Sequence, residues 1–139
     1  MRVQARGNKP WGRLEKLLLV AEILATYVRV RVLLWRHDLP RVIAGLRGLG
    51  RGAQPHADSE WEWFRYGNAT VRVLEALPAD ARCLMRSLTL MTVLARRGIA
   101  STVVIGVRTS DGFGAHAWIE RDTRALLWPG EGYERLAEF

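Results

Sequence analysis

Cysteine is nearly absent from this chain of 139 residues: Cys83 stands alone. One thiol excludes an intrachain disulfide and a cysteine-rich zinc site. Histidine is scarce too, and His37, His56 and His116 are scattered without metal-ligand spacing. Gly45-Leu46-Arg47-Gly48-Leu49-Gly50 lacks a preceding strand and is not a nucleotide loop. Neither a metal nor an organic cofactor is expected. Lysine is reduced to two residues against 19 arginines, within a net charge of +7. That balance favours acidic surfaces or peptides as partners. The arginines are spread along the chain and form no recognised nucleic-acid motif, so no nucleic acid is expected. No apolar run reaches the roughly 20 residues of a spanning helix, so no transmembrane segment is expected. Met1–Pro10 is polar and basic, with no signal-peptide core after it, and a cytoplasmic location is the expectation.

What the chain does contain is apolar residue, 49% of the total, in a length suited to one ordinary domain. Two parts are expected, a helical segment and linker over 1–56 and a core over 57–139. Leu14, Leu17, Leu18, Val20, Ala21, Leu24, Ala25, Tyr27 and Val28 are apolar over several turns, predicting a core or interface helix buried on much of its circumference. Membrane-surface association is the alternative for that helix. His37-Asp38-Leu39-Pro40 breaks the run, and Val42, Ile43 and Leu46 give a second helix one apolar side. Leu49–His56, with Gly50, Gly52 and Pro55, is the linker candidate. Asp58-Ser59-Glu60 opens a third helix over Trp61–Leu77, whose aromatics stand at core spacing rather than as a binding platform.

Cys83 follows Pro78-Ala79-Asp80-Ala81-Arg82, where Asp80 can cap a helix and place the thiol in its first turn. Leu84, Leu88, Met91 and Ala95 then line one face, and Gly98 ends the helix. Beyond it the period changes to two. Thr102–Val107 is β-branched and alternating, Thr109-Ser110-Asp111-Gly112 is turn chemistry, Ala115–Glu120 is a second strand and Ala125–Trp128 a third. Helices, a cysteine helix and then an antiparallel meander make an α+β layout. A lone cysteine is often just a small buried hydrophobe. A helix start with adjacent positive charge, however, favours the reactive thiolate, and a histidine on a facing strand can serve as its base.

The strings Arg82-Cys83-Leu84, Ala95-Arg96-Arg97-Gly98-Ile99, Val103-Val104-Ile105-Gly106-Val107-Arg108 and Ala115-His116-Ala117-Trp118-Ile119-Glu120 resemble the transglutaminase-like cysteine proteases of lasso-peptide biosynthesis. The likeness covers about Ala57–Phe139 in motif detail. Tyr27-Val28-Arg29-Val30-Arg31, Leu34 and His37-Asp38-Leu39-Pro40 are similar to the helical segment ahead of the core in stand-alone members. The resemblance implies a papain/transglutaminase-like core, a cysteine helix packed on a short antiparallel sheet, preceded by an N-terminal helical segment. It implies a bacterial leader peptidase of the split type, acting in the maturation of a ribosomally made peptide. Its partners would be the leader region of the precursor and a separate small leader-recognition protein, with the lasso cyclase a further candidate.

By the same resemblance, Cys83 matches the nucleophile and His116 the base. The usual third member is an aspartate roughly a dozen residues after the histidine, where this chain has Trp128. Glu131, in Trp128-Pro129-Gly130-Glu131, is the expected replacement; a backbone carbonyl or a side-chain amide are the alternatives. Glu120 lies about 13 Å from His116 along a strand and is expected to be peripheral. The competing reading is a non-catalytic transglutaminase-like module that binds a peptide or partner.

Overall fold

Helix α1, Arg13–Arg36, starts where Glu15 turns back so that its Oε2 accepts the Gly12 backbone N–H at 2.9 Å. It stops at His37, whose extended backbone donates to the Leu33 carbonyl. Pro40 sits at the start of α2, Leu39–Gly48, where a missing N–H costs nothing. Helix α3 is Glu60–Glu75 and α4 is Cys83–Ala95. The computed structural model describes residues 10–50, 52, 60–77 and 83–139. The expected caps at Asp80 and at Asp58-Ser59, and most of the Leu49–His56 linker, lie outside the described residues.

Helix α4 is the hub. Its side chains from Ser87 to Leu94 are buried, because α1, α2 and α3 pack on it from one side and the sheet from the other. Gly98 closes it at φ +72°, donating to the Ala95 carbonyl while Ile99 donates to that of Leu94. This left-handed turn suits glycine, and it drops Ile99 into the core. Arg97 then ties α4 to α1: its guanidinium donates twice to Glu22, at 2.9 and 2.8 Å, and once to the Val93 carbonyl, and it lies over the Tyr66 ring. Burial works against the Arg97 charge, but the Glu22 hydrogen bonds and Coulomb attraction outweigh it and hold the guanidinium charged. Arg97→Met leaves Glu22 without its fork, so a loss of about 2 kcal/mol is expected in urea unfolding.

Helix α1 departs from the expectation of wide burial. Only Leu19, Ile23, Thr26, Tyr27 and Val30 are buried, while Leu14, Leu17, Leu18 and Val28 face solvent. Apolar content along a helix does not reveal how many neighbours it has. Among the described residues no helix is long and apolar enough to cross a membrane.

The antiparallel sheet has strands β1 (Thr102–Arg108), β2 (Gly114–Arg121), β3 (Arg124–Ala125) and β4 (Glu134–Glu138), ordered β3-β2-β1-β4. The expected third strand over Ala125–Trp128 is corrected to two paired residues, Arg124 and Ala125, followed by a single bond from Leu126 N–H to the Ile119 carbonyl. Beyond Leu126 the chain leaves the sheet toward Pro129, which has no N–H to offer a ladder. A fourth strand was not expected. It pairs with β1 on the edge away from β2, so β1 is central.

Candidate functional site

Cys83 is the first residue of α4 and is half-buried. Its sulfur accepts a hydrogen bond from the Ala117 backbone N–H at 3.3 Å. That N–H is available because β3 stops short. Residues 117 and 119 direct their backbone groups to the same edge of β2. The Ile119 carbonyl is taken by Leu126, and the Ala117 N–H is left for the thiol. An N–H donor at this position stabilises negative charge on sulfur.

His116, the residue before Ala117, lines the same cavity as Cys83. The cavity holds about 270 Å³ and also touches Glu75, Arg86 and Trp128. The imidazole Nε2 lies 2.9 Å from the Trp128 backbone carbonyl. A carbonyl oxygen only accepts, so this bond places the proton on Nε2 and leaves the Nδ1 lone pair as the ring's proton acceptor. Trp128 is the twelfth residue after His116, the position the resemblance reserves for an aspartate. Its main chain supplies an acceptor there, though its side chain does not. Glu131 stands exposed in the bend three residues on. Gly130, at φ +74°, comes close to the ring: an added Cβ would lie 3.4 Å from the imidazole Cδ2 and 2.7 Å from the Tyr133 ring.

Three aromatic rings surround the imidazole. Trp118 stacks on it with centroids 6.1 Å apart, Tyr133 tilts against it at 5.2 Å, and Trp128 meets it edge-on at 6.3 Å. Arg108 lies over the ring of Tyr133. Trp118 could have been found by alternation, since it shares a strand face with His116. Tyr133 could not, because a turn carries it there.

Glu120 is the third residue of that face, and the structure gives it a partner. Trp118 Nε1–H donates to its carboxylate at 2.9 Å, and Arg135 donates to both its oxygens at 2.6 and 2.7 Å. Burial alone would raise the Glu120 pKa, but the hydrogen bonds of Arg135 and Trp118 more than offset it and hold the carboxyl below its ordinary value of 4.5. Glu120 thus clamps the indole that stacks on His116. A folded carboxyl more acidic than its unfolded form adds stability above the unfolded pKa, and loses it as pH falls through the folded value. The urea midpoint is therefore expected to drop between pH 6 and pH 3, and Glu120→Gln to flatten that part of the drop.

Among the described residues no cluster of histidine, cysteine, aspartate and glutamate could hold a metal ion. No curated protein and no solved structure matches the sequence. One family model does, that of the transglutaminase-like superfamily, over residues 24–138. The match takes in the second half of α1, the cysteine helix and the whole sheet with its histidine strand, in an α+β fold that has, among the described residues, four helices and four antiparallel strands. The chain belongs to the transglutaminase-like superfamily.

Proposed function

We propose that the protein is a cysteine peptidase that removes the leader from a ribosomally made lasso-peptide precursor. The observation that carries the peptidase reading is the shared cavity of Cys83 and His116, with the sulfur held by Ala117 N–H and the ring by the Trp128 carbonyl. The narrower reading, leader cleavage, is supported by the motif resemblance.

In this mechanism Nδ1 of His116 takes the Cys83 proton, and the thiolate attacks the carbonyl carbon between leader and core. The tetrahedral oxyanion is met by the Cys83 backbone N–H at the start of α4. Collapse breaks the C–N bond, and the imidazolium gives its proton to the departing amine. Water, deprotonated by His116, then hydrolyses the thioester and frees the thiol. An amine in place of water would make the same site an acyl transferase.

The orienting role has two claimants. The Trp128 carbonyl already holds Nε2, and the expected Glu131 stands nearby in the bend. The existing hydrogen bond favours the carbonyl. Glu131→Gln is then expected to change kcat less than about tenfold, whereas an orienting carboxylate would cost orders of magnitude. A second reading, a peptide-binding module without catalysis, draws on the same bond, because a neutral carbonyl stabilises an imidazolium less than a carboxylate does. Incubating the purified protein with a candidate precursor and its recognition protein separates the two. A leader-sized fragment in the mass spectrum is expected, and an intact precursor after prolonged incubation sinks the peptidase reading.

A further inference from the structure

The exposed apolar residues of α1 fall on a heptad. Leu14, Leu18, Ala21, Ala25, Val28, Val32 and Trp35 follow one another at alternating steps of four and three, and all seven are exposed. They run for three heptads, about 32 Å at 1.5 Å per residue. The residues buried against the rest of the fold, Leu19, Ile23, Thr26, Tyr27 and Val30, occupy the opposite side of the helix. α1 therefore carries two apolar stripes, one filled by its own chain and one open. An open stripe with a sustained 3.5-residue repeat is a coiled-coil seam.

The charges beside the seam say what fits it. Along one flank run Glu15, Glu22, Arg29 and Arg36 at seven-residue intervals, acidic in the first half and basic in the second. Glu15 and Arg36 are equidistant from a point between Ala25 and Thr26, and so are Glu22 and Arg29. A second α1 laid antiparallel meets this flank with the opposite sign at every place, whereas a parallel copy sets Arg31 against Arg36. Ala21 and Ala25 are the third and fourth of the seven, and their small side chains let two helix axes approach closely. Glu22 is already engaged by Arg97, so the remaining pair is the second copy's Arg36 with Glu15, whose Oε2 also accepts the Gly12 N–H.

We propose that the protein forms a two-fold symmetric homodimer through an antiparallel pairing of α1 with α1. The pairing is isologous, each half of the seam packing on the other half of its twin. It lies on the side of α1 turned away from α4, so the Cys83 cavity of each copy stays open.

Sedimentation of the full chain across 1–100 μM tests this. A dimer is expected for the native protein, and a monomer with unchanged circular dichroism for Val28→Glu/Val32→Glu. The charge pairing has its own readout. Glu15→Arg and Arg36→Glu should each weaken the dimer at least about tenfold, and the double variant should restore it. A native monomer throughout the range overturns the proposal, as does a double variant weaker than either single one. A monomer that instead binds phosphatidylglycerol vesicles, and loses that binding in Val28→Glu/Val32→Glu, also overturns it and assigns the stripe to a lipid surface.

Discussion

Cys83→Ala is expected to abolish hydrolysis, lowering kcat by at least about 10⁴-fold, the scale seen when a nucleophile is removed from a covalent mechanism. Cys83 is the only thiol, so iodoacetamide should add one label and remove activity in proportion to labelling. The Cys83 side chain is half-buried and accepts one hydrogen bond, from Ala117 N–H. Its removal leaves that N–H at the rim of a cavity water can enter, so the stability cost should stay within about 1–2 kcal/mol. Unchanged circular dichroism with lost activity is the expected pairing of results. Normal turnover by the alanine variant would end the peptidase reading.

His116→Ala is the second large effect, and it should nearly equal the first. Residues that act as one unit are not additive, so the double variant should be little worse than either single one. His116→Ala also empties the space among Trp118, Trp128 and Tyr133, so its thermal midpoint should be measured beside its activity. A variant that retains more than about a tenth of native turnover would favour the binding-module reading.

Much of this arrangement was legible in the sequence. Apolar spacing and the Gly98 stop defined α4 from Cys83 onward, and alternation defined β1 and β2, because in each the side-chain pattern and the local backbone preference agree. Strand β4 was hidden: Glu134-Arg135-Leu136-Ala137-Glu138 has no β-branched residue, and it is a strand because β1 offers it an open edge. The acceptor on His116 was hidden more deeply. Trp128 acts through a carbonyl that every residue possesses, so side-chain identity at position 128 carried no sign of it. The two stripes of α1 were not separated in the sequence: of the five residues the fold buries there, only Tyr27 stood among the expected apolar positions, because which side is filled depends on α4, far along the chain.

The short β3 has a consequence for how failure would spread. The N–H that holds the thiol belongs to the same strand whose other edge is laddered to β1, with Ala117 opposite Ile105 and His116 opposite Gly106. A slip of β2 by one residue would exchange its two faces, sending the imidazole toward the helices and presenting a different backbone group to the sulfur. Chemical competence and strand alignment are therefore one cooperative property. Amide exchange at Val104 and Gly106, whose N–H groups face β2, should quicken together with the loss of thiol reactivity as denaturant is added, with no earlier phase in which the site comes apart alone.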